Sequence, residues 1–191
     1  VLARVPQIDV NDIEDVIMGC AMPFNETAMN IARLIVNRAE LPDRICGQTL
    51  NRFCSSGLQA ISTAVNAIAV GQGDVYVAGG IEDMSKTFGK YDYQYDDKWL
   101  EDNYIGAYMS MGLTAENVAE KYGITRQEMD AFAVESHKKA AKAQKEGKLS
   151  GSIIPVTVKD EEGNDKVVEL DESIRESTSM ESLAGLKTPF R

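Results

Sequence analysis

The sequence predicts an α/β fold: a mainly parallel sheet packed around a buried helix, followed by an α+β region. Three observations carry this. Leu58 to Val70 reads as a helix apolar almost all round, through Leu58, Ile61, Val65 and Ile68 as well as Ala60, Ala64 and Ala67. That is the pattern of a helix buried on every face. A β-like run ending near Cys54 leads into it, and Asp74 to Gly80 follows as a continuous apolar strand, the mark of a parallel strand covered on both sides. An earlier strand and helix, around Val16–Met18 and Asn25–Leu41, repeat the alternation.

In chain order, Val1 to Pro6 reads as the end of a helix, and no initiator methionine precedes it. Asp12 to Met22 is a turn and a strand, closed by Pro23. Asn25 to Leu41 is helical, with Met29, Ala32, Leu34, Ile35 and Val36 on its apolar side and Pro42 as the stop. Gly71 and Gly73 end a helix instead of opening one, so they are caps and not a dinucleotide fingerprint.

After Ser85 the composition changes. More than half the aromatic residues lie between Phe88 and Tyr108, with neither period 2 nor period 3.6. They fit either a cover over an apolar cavity or, more simply, a long loop anchored by its rings. Leu113 to Tyr122 is a helix ending at Gly123. The next opens with a capping box, Thr125 and Glu128, and runs to about Lys145 with Met129, Phe132, Ala133 and Ala140 on one face. Ile153–Lys159 and Lys166–Leu170 form a hairpin around residues 161–164. Thr178 and Glu181 fit a second capping box.

A formal charge of −10 and a pI near 4.7 argue against a nucleic-acid partner. No run approaches the ~20 apolar residues of a membrane span and no signal peptide opens the chain. Three cysteines form no disulfide framework, which favours a cytoplasmic setting. The one histidine, His137, lies far from any Cys-x-x-Cys spacing, so no metal site is expected, and it reads as a surface or half-buried residue. Lys138, Lys139, Lys142, Lys145 and Lys148 make the one dense basic patch. A solvated helix face accounts for it more simply than attraction of an anionic ligand does.

The candidate nucleophile is Cys54, where a strand meets the N-terminus of the apolar helix. Open backbone N–H groups and the helix dipole favour a thiolate at such a position. The plainer alternative is a small buried hydrophobe, and strand–Cys–helix alone does not decide between them. Here a resemblance enters. Asn51-Arg52-Phe53-Cys54-Ser55-Ser56-Gly57-Leu58-Gln59-Ala60 resembles the nucleophile segment of thiolases. Three further matches follow in order: Gly79-Gly80-Ile81-Glu82-Asp83-Met84-Ser85, Met111 to Asn117, and Gln127 to Ala133.

The resemblance implies a partial thiolase-like N-terminal βαβαβ half over residues 1–85 and an inserted loop domain over residues 86–191. It implies thiolysis of a 3-ketoacyl-CoA to acetyl-CoA and a shortened acyl-CoA, or the reverse condensation, through an acyl-thioester on Cys54. Met111 would line the acyl pocket and Arg175 would contact the nucleotide end of coenzyme A. Coenzyme A thioesters are then substrates and no cofactor is needed. Ser110, where biosynthetic members have histidine, tilts the reading to degradative 3-ketoacyl-CoA thiolases, and Glu176 replaces a usual proline. The Gly-His-Pro and Cys-x-Gly segments of the family's second half do not occur, so the sequence reads as a piece, alone inactive. Its expected partners are acyl-CoA and either further copies of itself or the remaining half. By the family's template a strand not found here lies between the strands near Val16–Met18 and Val75–Ala78, leaving both with open edges. A non-catalytic acyl-CoA-binding or assembly fragment, or another condensing enzyme of the ketoacyl synthase type, remains as an alternative.

Overall fold

A computed structural model describes residues 1–87 and 97–191. They divide into two compact units, one within Val1–Tyr95 and one within Asp96–Arg191. Phe88, Tyr91, Tyr93 and Tyr95 of the aromatic segment lie outside the described residues.

The first unit alternates β1 (Ile13–Gly19), α1 (Ile31–Arg38), β2 (Cys46–Leu50), α2 (Ser56–Ala69) and β3 (Val75–Gly80), then a short α3 (Met84–Thr87). The sheet is parallel, as expected, in the order β2-β1-β3. This corrects the expectation of a gap at its centre. β1 is itself the central strand, and Val16 and Ile17 pair directly with Val77 and Ala78. The cause is plain: each buried N–H or C=O left unpaired costs about 1–3 kcal/mol, and two apolar parallel strands satisfy each other's ladder. The helix expected over Asn25–Leu41 is also shorter. A 3₁₀ turn, Asn25–Thr27, comes first, and Asn30 caps α1 with its Oδ1 accepting the Arg33 N–H at 3.4 Å.

Adjacent residues of β1 serve opposite faces of the sheet, which is why the strand reads as a continuous apolar run. Val16 packs with Ile13, Val36 and Ile45 on the α1 side; Ile17 packs with Ala60 and Ala64 on the α2 side. Ile13 and Val16 share a side because the β1–β3 register shifts between Ile13 and Asp15.

α2 corrects a second expectation. Its sheet-facing side is small, Ser56, Ala60, Ala64 and Ala67. Its large side chains point away, with Leu58 71% and Val65 57% exposed. Within the first unit the sheet covers one face of the helix, and no second layer among that unit's described residues covers the other.

In the second unit, α4 (Lys98–Asn103), α5 (Met111–Tyr122) and α6 (Arg126–Lys145) precede an antiparallel hairpin, β4 (Val156–Lys159) and β5 (Asp165–Val168), and then α7 (Met180–Ala184). Gly123 ends α5 at φ +64°, and the Thr125–Glu128 box caps α6. The inner face of α6 is Val134 and Ala141, whereas Phe132 is 79% exposed, so the expected apolar face is displaced. Ser179 and Ser182 form the box that opens α7. Thr178 does not take part, because its hydroxyl donates to the Arg175 carbonyl at 2.8 Å.

A hollow of about 440 Å³ on the α2 side of the sheet is lined by Asp15, Cys46, Gln48, Thr63 and Tyr76 among others. Asp15 Oδ1 is buried there without a hydrogen-bond partner. Burial pushes the Asp15 carboxyl above its ordinary 3.8, and a backbone hydrogen bond from Val16 offsets part of that. A carboxyl raised in the fold keeps its full contribution below 3.8 and loses it as pH rises through the higher value. Asp15→Asn should therefore melt higher than the parent at pH 7, with the gap closing near pH 3. Thermal melts across that range test it, and a parent that melts at or above the variant at pH 7 would refute it.

Candidate active site

Cys54 lies in a tight turn between β2 and α2, built almost wholly from its own polar groups. Phe53, just before it, adopts a left-handed backbone at φ +47°. A phenylalanine held there is strained by about 1–3 kcal/mol and needs surroundings that fix it. Asn51 Oδ1 accepts the Phe53 N–H at 2.8 Å, and the Ser56 hydroxyl donates to the Phe53 carbonyl at 2.6 Å. Ser56 Oγ also accepts the Arg52 N–H at 2.8 Å, while the Ser55 hydroxyl donates to the Arg52 carbonyl at 2.9 Å.

This turn is tied to the rest of the sheet end. Asn51 Nδ2 donates to the Ala21 carbonyl at 2.9 Å. The loop carrying Ala21 is gripped by Glu82, whose carboxylate accepts the N–H groups of Ala21 at 2.7 Å and Met22 at 3.0 Å. Two of the motifs noted in the sequence, around Cys54 and around Glu82, thus meet through residues 20–22. Sequence reasoning singles out neither Asn51 nor Glu82 as a functional residue. Their signal is present in those motifs, but nothing local shows that two loops about 30 residues apart share a support.

Cys54 is exposed and its thiol has no partner among the described residues. Ser55 occupies the N-cap of α2 without making a side-chain cap, and no acceptor takes the N–H of Gly57 or Leu58 among the described residues. The backbone donors at the start of the helix next to the cysteine are thus open. The other thiols differ. Cys20 is buried, which, with Glu82 beside it, pushes its thiol up, a hydrogen bond with Thr27 working the other way. Cys46 is exposed at the first residue of β2, paired in register with Asp15.

Met111 and Arg175 both belong to the second unit. Met111 is the first residue of α5 and 74% exposed. Arg175 lies in the loop before α7; its backbone N–H donates to His137 Nδ1 at 3.1 Å, and its guanidinium has no partner among the described residues. Most of the lysine patch is spent on neighbouring carboxylates: Lys139 pairs with Glu135, Lys142 and Lys148 with Glu146, and Lys145 with Glu176. That agrees with a solvated helix face. The described residues hold no cluster of metal-ligating side chains and no helix long and apolar enough to cross a membrane.

The turn also depends on close packing. A Cβ on Gly19 would stand 2.3 Å from the Ser56 carbonyl carbon and 2.6 Å from the Gly57 nitrogen. Both are backbone atoms, so the helix start itself would have to move. Gly19→Ala should cost about 1–3 kcal/mol, as overpacking does, and slow alkylation of Cys54. An unchanged melting temperature together with an unchanged alkylation rate would show that the contact is not needed.

A family model described as "Thiolase, N-terminal domain" matches residues 1–191. The chain is 40% identical over 206 residues to "3-oxoadipyl-CoA/3-oxo-5,6-dehydrosuberyl-CoA thiolase" of Escherichia coli (strain K12), covering 100% of this chain and 51% of that protein. It is 41% identical over 187 residues to "3-ketoacyl-CoA thiolase" of Marinomonas sp. (strain MWYL1), 98% of this chain and 48% of the relative. A 3-ketoacyl-CoA thiolase of Acinetobacter baumannii (strain AYE) is also 41% identical over 184 residues, 96% and 47%. The chain spans about half the length of the curated relatives it matches. The parallel sheet, the apolar helix and the cysteine turn accord with that match, and this chain belongs to the thiolase family, whose N-terminal domain it represents.

Proposed function

We propose that Cys54 is the acyl-accepting nucleophile of a thiolase-type acyltransferase acting on 3-ketoacyl-CoA thioesters. The carrying observation is the exposed, unpartnered thiol held by a strained turn ahead of open helix N–H groups. In that reading the Cys54 thiolate adds to the ketone carbonyl. The bond between the α and β carbons then breaks and leaves the acyl group on sulfur as a thioester. The departing acetyl-CoA carbanion takes a proton, and a second coenzyme A thiol removes the acyl group. Open N–H groups beside the sulfur suit the developing oxyanion.

Met111 lines the acyl pocket in this reading and Arg175 meets the phosphates of coenzyme A, where a planar fork is the fitting chemistry. Residues 1–85 act as the nucleophile half and residues 86–191 as the coenzyme A side. The setting is the cytoplasm, the role degradation of fatty or related acyl chains, and the partner a second copy or the complementary half. Thiolase names on relatives that match the whole chain support the chemistry; Ser110 supports the degradative direction.

Acid–base groups contribute about 10²–10⁴-fold to such steps, and Cys54 has no proton-transfer partner among the described residues. The chain tested alone should therefore form an adduct without turning over. Incubation with acetyl-CoA, followed by peptide mass mapping, should find the acyl group on Cys54 and not on Cys46, the exposed internal control. Acylation confined to Cys46 or Cys20 overturns the assignment. Sustained cleavage of acetoacetyl-CoA that vanishes in Cys54→Ala would show that the chain supplies its own acid and base.

A further inference from the structure

We propose that His137 is a positioning residue for Arg175: its unprotonated Nδ1 holds the Arg175 backbone and so fixes where the guanidinium is presented to coenzyme A. This rests on the coenzyme A reading above and adds a residue that the reading did not include. The contact joins residues 38 apart in the chain, from the Arg175 N–H to Nδ1 at 3.1 Å. A ring nitrogen accepts only without a proton, so the imidazole proton sits on Nε2.

His137 stands on the same strip of α6 as Val134 and Ala141, half-buried, which limits its rotamers. Further along α6 the helix grips the same loop twice more. Gln144 Nε2 donates to the Asp171 carbonyl at 3.1 Å, and Lys145 pairs with Glu176. The Arg175 carbonyl is taken as well, by the Thr178 hydroxyl at 2.8 Å and the Thr178 N–H at 3.2 Å. Both polar backbone groups of Arg175 are thus occupied while its guanidinium is exposed and unpartnered among the described residues. An arginine tied by its backbone and free at its tip gives up less entropy when a phosphate binds. Its fork keeps every donor for the ligand.

The test uses the full chain, coenzyme A as probe, and the variants His137→Leu, His137→Gln and Arg175→Ala, with a double variant that combines His137→Leu and Arg175→Ala. Calorimetry reads affinity; amide hydrogen exchange reads the Arg175 N–H, with Val134 and Ala141 as folding controls. His137→Leu should speed exchange at Arg175 and weaken coenzyme A about three- to tenfold, the effect of one hydrogen bond. His137→Gln, which keeps an acceptor oxygen, should restore part of both. In the Arg175→Ala background, His137→Leu should have no further effect on affinity. Unchanged exchange at Arg175 in His137→Leu overturns the proposal, and so does an equal loss of affinity with and without Arg175. A parent chain that binds no coenzyme A counts against the functional reading instead, and the exchange measurement still decides whether His137 holds Arg175.

Discussion

The grip of Glu82 on the Ala21 and Met22 N–H groups is the interaction on which the cysteine site depends. Charge-assisted bonds of this kind are short and about twice as strong as neutral ones. Here they come at 2.7 and 3.0 Å from one carboxylate to two successive amides. The loop so fixed offers the Ala21 carbonyl to Asn51, and Asn51 in turn holds the Phe53 N–H. The left-handed Phe53 would relax without that chain of support. The loops that follow all three strands of one parallel sheet are thus joined at the C-terminal end of the strands, where Cys20 and the turn carrying Cys54 both lie.

That convergence explains which parts of the molecule are legible in the sequence. Strand and helix positions follow from local periodicity, so β1, β2, β3, α5, α6 and the hairpin all stand close to where their patterns put them. The turn around Cys54 is legible because its motif is contiguous. The contacts of Glu82, Asn51 and His137 are not, because each reaches a backbone group far away in sequence or in a different loop. The order of the strands escapes for a related reason. Pattern shows that Val16–Met18 and Val75–Ala78 are buried strands, but which strand completes whose ladder is a property of the whole sheet.

α2 shows the limit of composition most directly. A helix apolar almost all round reads as buried on every face, yet its apolar residues are sorted by size. Ser56, Ala60, Ala64 and Ala67 face the sheet and permit the close approach that Gly19 completes. Leu58, Ile61, Val65 and Ile68 face outward. Small residues set how near the helix start comes to β1, and that distance sets the cysteine turn. The closeness of the contact is therefore decided by the absence of side-chain bulk, a signal that hydrophobicity scales do not carry.

Two thiols are exposed in one small unit, and exposure alone does not select between them. Cys46 begins β2 opposite Asp15 and lines the hollow that holds that carboxyl and Glu14. Cys54 stands before the open N–H groups of a helix with no charged residue of its own. Neither setting is produced by the cysteine. One is the N-terminal edge of the sheet and the other its C-terminal edge, so the direction of the parallel strands decides which thiol stands beside carboxyl groups and which before a helix start.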